Sequence, residues 1–185
     1  MRRAGWVVAV MAAAVLGGCG SDDDGITEPP IGVPKYQQNT PQNTLEAMVT
    51  AYVARDSVET KQVYDSSYVG TSTDLNDPVP SVATFRYADE IRHVAVLART
   101  SAIVSIVLDL GLRSSWTRLP SDDPSHPEWA MIQINNFRLE VYDGPTLYTA
   151  SSTNPMTFTF RPVTTAPPDT TWTIVRWTEN GSSGP

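Results

Sequence analysis

The stretch Thr40 to Tyr68, TPQNTLEAMVTAYVARDSVETKQVYDSSY, constrains the fold most, because it joins a sustained helical period to capping signals at both joints. Leu45, Met48, Val49, Tyr52 and Val53 recur at i, i+3, i+4, i+7 and i+8, a stripe of α-helix wide enough to require a cover. Thr40 then Pro41 reads as N-cap and first helical residue, since proline loses no useful donor there. Asn43 with Glu46 is a competing capping pair. Arg55, Asp56 and Ser57 break the run, and Asp56 with Glu59 starts a second, short helix through Val63 or Tyr64.

The cover must come from downstream. Tyr68 to Thr73 reads as a short strand and Asp74 to Pro80 as a turn. A third helix carries Phe85, Ala88, Ile91, Val94, Ala95 and Ala98 at apolar spacing, with Arg86, Asp89, Glu90 and Arg92 on the rest of its circumference and His93 beside the stripe. Ala102 to Leu112 is a strand with Val104, Ile106, Leu108 and Leu110 on one face and Ile103, Ser105, Val107 and Asp109 on the other. Trp129 to Tyr142 is the longest strand, and its apolar phase changes between Ile132/Ile134 and Phe137/Leu139/Val141, which predicts a bulge or sharp bend at Asn135 and Asn136. After a turn at Asp143, Gly144 and Pro145 come strands at Leu147 to Ala150 and Met156 to Arg161, a loop from Pro162 to Asp169, and a closing strand from Trp172 to Thr178. In that last strand Trp172, Ile174 and Arg176 alternate with Thr173, Val175 and Trp177.

Ser114 to Glu128 reads as a solvated hairpin loop. Asp122, Asp123, His126 and Glu128 are chemically able to ligate a metal, but prolines interrupt them and no regular element fixes their spacing, so no metal site is expected.

The N-terminus carries an address. Arg2 and Arg3 precede an apolar run from Trp6 to Leu16 that is shorter than the ~20 residues a membrane-spanning helix needs. Leu16, Gly17, Gly18 and Cys19 resemble the lipobox of bacterial lipoproteins. The resemblance implies a signal peptide over residues 1–18, acylation of Cys19, and membrane attachment through N-terminal acyl chains. Gly20, standing where Asp would resemble an inner-membrane retention signal, implies the outer membrane of the cell envelope. A lone Cys forms no internal disulfide, which fits anchoring. Residues 19–38 read as an acidic, proline-rich tether; Asp22, Asp23 and Asp24 lack the spacing of a calcium loop. Residues 39–179 read as one domain and 180–185 as a frayed tail. Of 13 basic and 20 acidic residues, loss of Arg2 and Arg3 leaves 11 against 20, a balance of −9 that disfavours nucleic acid.

Helix, short helix, strand, helix and a run of strands is an α+β order. TPQNTLEAMVTAYVARD with its short following helix, FRYADEIRHVAVLA, FTFRP and WTIVRWTE together resemble the NTF2-like (SnoaL-like) superfamily. The resemblance implies a cone, a strongly curved antiparallel sheet wrapped around the N-terminal helices, with a pocket at one end. Tyr52, Asp65, Tyr68, His93 and Tyr142 are the polar residues placed to line it. No catalytic role is assigned to any of them, and no cofactor is expected. The expected occupant is a small apolar ligand or a protein partner; a homodimer through the open sheet face would be favoured by exposed Trp172 or Trp177. An isomerase- or dehydratase-type enzyme acting on a hydrophobic small molecule, with Asp65 or His93 moving the proton, is the alternative.

Overall fold

A computed structural model describes residues 36–74, 81–166 and 169–180. The lipobox with Cys19 and most of the tether, the 75–80 turn and the tail after 180 lie outside the described residues.

Thr40 is extended and its side chain accepts the Asn43 N–H at 3.1 Å, so the Thr40–Pro41 start prevails and α1 runs Pro41–Val53. Leu45, Met48 and Tyr52 are buried as the period requires, while Val53 is exposed. At the joint Arg55 takes a positive φ of 56°, and its guanidinium donates to the Ile103 carbonyl at 3.0 Å. Asp56 caps α2 (Ser57–Val63) by accepting from the Val58 and Glu59 N–H groups, both at 3.1 Å.

The strand β1 (Tyr64–Asp74) follows α2 directly, four residues before the predicted start, and pairs antiparallel with β2 (Ser81–Arg86), which sequence reading missed. Phe85, expected on the third helix, lies in β2 opposite Gly70. The helix α3 (Tyr87–Arg99) buries Val94 and Leu97, while Ala88 and Ala98 are exposed. Its inward face therefore runs Glu90, His93, Val94 and Leu97, one step round from the predicted stripe. The larger side chains set the face; alanines gain too little by burial to compete.

The strand β3 (Ile103–Asp109) has an irregularity between Ile103 and Ser105 that puts Ile103 on the buried face with Ile106 and leaves Val104 70% exposed. Within the expected loop a short strand, β4 (Thr117–Pro120), pairs with β5 (Ala130–Ile134). The predicted break at Asn135 and Asn136 separates two strands: β5 belongs to one sheet and β6 (Phe137–Asp143) to another. The chain continues through β7 (Thr146–Ser152), β8 (Met156–Ala166) and β9 (Asp169–Asn180).

The larger sheet has the order β2-β1-β9-β8-β5-β4 and is open; the smaller has the order β3-β6-β7. Neighbours are antiparallel except β1 and β9, which are parallel, so the sheet is mixed and not the antiparallel one expected. The expected loop from Pro162 is strand as far as Ala166. Pro162 is tolerated because β5 ends opposite Phe160 and no strand faces the proline nitrogen, while its cross-strand partner Trp172 sends its own N–H to the Gln38 carbonyl at 2.8 Å. A register shift leaves Val175 unpaired, so Ile174 and Trp177, expected on opposite faces, both pack on the core.

Two apolar clusters meet at α1. Leu45 and Met48 join Phe158, Phe160, Ile132 and Ile174 under the larger sheet; Tyr52 joins Val94, Leu97, Ile106 and Val141 under the smaller one. Each fully buried Phe or Ile contributes about 2–3 kcal/mol. Trp172 and Trp177 pack against the first cluster, which removes the exposed-tryptophan argument for pairing through the open face. Gln38, read from sequence as the end of the tether, is buried against the domain, and Tyr36 packs on its core.

Candidate functional site

Where α1, β1 and α3 converge, five polar side chains meet among apolar ones. Tyr52 comes from the last turn of α1, Tyr64 and Tyr68 from the start of β1, and Glu90 and His93 from adjacent positions on the inward face of α3. The Tyr68 hydroxyl donates to Glu90 Oε1 at 3.2 Å. The Tyr64 and Tyr68 rings meet edge to face, centroids 4.6 Å apart. Tyr52 and His93 meet similarly at 5.7 Å, with the phenol oxygen 3.5 Å from Nε2.

Local structure explains why both β1 tyrosines point inward. The pairing of β1 with β9 is irregular between Tyr64 and Val69, and Asp65 holds that irregularity by accepting from the Ser67 N–H (2.9 Å) and hydroxyl (2.6 Å). Two residues past Tyr68 stands Gly70. A Cβ there would lie 2.5 Å from the Tyr68 hydroxyl oxygen and 3.0 Å from Trp177, so only glycine leaves room for the phenol to reach Glu90.

Burial sets the electrostatics. The Glu90 carboxyl is pushed up from 4.5 to about 7, chiefly by desolvation; the Tyr68 hydrogen bond opposes the shift and neighbouring Asp89 adds to it. Desolvation, with Glu90 nearby, raises the phenols of Tyr52, Tyr64 and Tyr68. It lowers the imidazole of His93. Near neutrality the cluster thus presents neutral phenols, a neutral imidazole and a carboxyl close to half-ionised. Among the described residues no Lys or Arg pairs with Glu90. The arrangement can accept a hydrogen bond or a proton from a molecule that reaches it.

Of the residues chosen from sequence, Tyr52, Tyr68 and His93 come together here; Asp65 and Tyr142 do not. Asp65 is 4% exposed, but it pairs with the Arg161 guanidinium and accepts from the Thr173 hydroxyl at 3.3 Å. Arg161 and Thr173 oppose each other next to the core pair Phe160 and Ile174, so the pleat points them to the other face of the sheet. Tyr142 lies on the smaller sheet beside buried Val141, facing away, and donates to Glu140 at 3.1 Å. That hydrogen bond raises its pKa, with the Glu140 charge second. Sequence reading missed Tyr64 and Glu90. The signal for Glu90 was its i, i+3, i+4, i+7 relation to His93, Val94 and Leu97.

Among the described residues no group of three or more His, Cys, Asp and Glu is placed to hold a metal. Asp122 pairs with Arg176, and His126 stacks on Trp129 at 4.1 Å with Glu128 3.3 Å away. A shallow cleft of about 320 Å³ lies beside α1, lined in part by Tyr36, Asn43, Glu46 and Arg113. Arg113 reaches both Glu46 and Asn43 there at 2.8 Å.

No family model matches this chain, and no curated protein does. Solved structures do. An NTF2-like superfamily protein from Salmonella enterica serovar Typhimurium is 10% identical with a TM-score of 0.52, over 77% of this chain and 90% of that one. An NTF2-like protein from Cytophaga hutchinsonii is 8% identical (TM-score 0.49; 76% and 93% covered), and a ketosteroid isomerase-like protein from Erwinia carotovora atroseptica is 13% identical (0.44; 76% and 92%). At such identities the likeness is one of architecture. The described domain has the NTF2-like α+β fold.

Proposed function

We propose that this chain is a lipid-anchored protein of the bacterial envelope, held at the outer membrane through acylated Cys19, whose domain binds a small apolar molecule without transforming it. The polar end of that molecule is read by Tyr52, Tyr68, Glu90 and His93. One observation carries the site: Glu90 is a half-buried, strongly desolvated carboxyl with a phenol donor and, among the described residues, no cation to balance it. A ligand group that donates a hydrogen bond to Glu90 supplies what the protein leaves out. The anchor rests on the lipobox-like residues 16–19. No helix among the described residues is long and apolar enough to cross a membrane.

Native mass spectrometry of the full chain, purified from its own host's envelope, tests both parts. The expected result is acyl mass on Cys19 and a bound small molecule that is lost in Glu90→Gln. An unacylated chain removes the anchor, and a ligand retained in Glu90→Gln removes the site.

The second reading is an isomerase- or dehydratase-type enzyme in which Glu90, not Asp65 or His93, moves the proton. It is favoured by a carboxyl titrating near the working pH, where a general base is most effective. A co-purified molecule that exchanges a carbon-bound proton for deuterium with the parent chain, but not with Glu90→Gln, would select this reading over plain binding.

A further inference from the structure

The strand β7, residues TLYTASS, forms one edge of the smaller sheet and carries neither charge nor proline. Leu147 and Tyr148 are 48% and 45% exposed. The other edges are blunted. β4 carries Arg118 and Pro120, β2 ends in Arg86, and the Ile103 carbonyl of β3 is taken by Arg55. An uncharged edge that no other described strand pairs with is a template for another strand.

The two-residue turn Gly144–Pro145, with Gly144 at φ 53°, fixes the hydrogen-bond phase of the β6–β7 hairpin. Asp143 and Thr146 close it as a bonded pair, so bonded and non-bonded pairs alternate from there. The backbone N–H and C=O groups of Leu147, Thr149 and Ser151 therefore point away from β6, into the open edge. We propose that β7 pairs antiparallel with β7 of a second copy about a two-fold axis at Thr149.

That register is self-complementary. Thr149 exchanges backbone bonds with the partner's Thr149, and Leu147 with the partner's Ser151. On the buried face Val141 lies beside Tyr148, and Leu139 beside Ala150. Across the axis Tyr148 meets the partner's Ala150, large against small, and the apolar row continues to the partner's Leu139. A slip by one residue places the bonding groups out of phase. No charge meets its own copy, which a two-fold edge requires.

The test uses the full chain carrying Cys19→Ser, so that an introduced cysteine is its sole thiol. Sedimentation velocity is expected to show a dimer. Thr149→Lys, which sets two like charges at the axis, is expected to weaken association roughly tenfold or more with an unchanged circular dichroism spectrum. Thr149→Cys is expected to give a covalent dimer with a short thiol cross-linker, whereas Arg118→Cys on the β4 edge is not. A monomeric parent, a dimer as tight in Thr149→Lys as in the parent, or equal cross-linking at both edges overturns the proposal.

Discussion

Asp65, a buried carboxyl within β1, and Glu90, a half-buried carboxyl packed beside it, lie on opposite sides of that strand. Asp65 accepts from the Ser67 backbone and hydroxyl and from Thr173, and it pairs with Arg161. Glu90 has the Tyr68 hydroxyl and an acidic neighbour, Asp89. The first carboxylate is compensated within the protein and fixes the irregular start of β1. The second is left partly undone, and burial pushes it up to about 7. Burial alone does not suggest a site; burial without a balancing cation among the described residues is what supports the proposed one.

The contrast can be broken at either end. Asp65→Ala should be the most damaging change, at roughly 3 kcal/mol, because it leaves the Ser67, Thr173 and Arg161 donors without their acceptor and loosens the β1 segment that aims Tyr64 and Tyr68. Denaturant midpoints will measure it, and a loss below about 1 kcal/mol would show that Asp65 does not hold that segment.

Glu90→Gln should do the reverse at alkaline pH. The folded pKa of Glu90, about 7, lies above its ordinary 4.5, so its favourable contribution is full below 4.5 and disappears as pH rises through 7. The glutamine copies the protonated carboxyl without that loss. The variant should match the parent at pH 4 and exceed it by about 2 kcal/mol at pH 8, less than the full shift implies because Glu90 is partly exposed. His93 has the opposite slope, its lowered pKa removing stability as pH falls, and comparing variant with parent at each pH cancels it. A difference independent of pH would contradict the account.

Smaller effects refine the geometry. Gly70→Ala should cost about 1–2 kcal/mol by driving a methyl against the Tyr68 hydroxyl, and adding Tyr68→Phe should recover part of it in a double-mutant cycle. Strict additivity would show that the two do not touch. Tyr52→Phe should cost under about 0.5 kcal/mol in thermal unfolding, since its phenol oxygen stands at the 3.5 Å limit from His93.

The helical opening was legible because caps and period agree: Thr40 and Asp56 cap the two helices as their positions suggest. The phase change at Asn135–Asn136 was legible as a break, although its meaning, a change of sheet, needs long-range pairing that no local pattern contains. The strand Ser81–Arg86 was missed because Phe85 also satisfies the helical period of the next segment. The candidate site was half legible. Tyr52 lies on a strong stripe, but Glu90 was read as solvent-facing because the apparent stripe of α3 rested on alanines. Asp65 looked like a pocket acid because its neutraliser, Arg161, is distant in sequence.

The proposed binding site rests on Glu90, which among the described residues has no cation beside it. A carbon-detected NMR titration of the Glu90 carboxyl in the full chain tests it most directly. The expected midpoint is about 7, rising further in Tyr68→Phe, where the hydrogen bond stabilising the ionised form is gone. A midpoint near 4.5 that does not respond to Tyr68→Phe would contradict it.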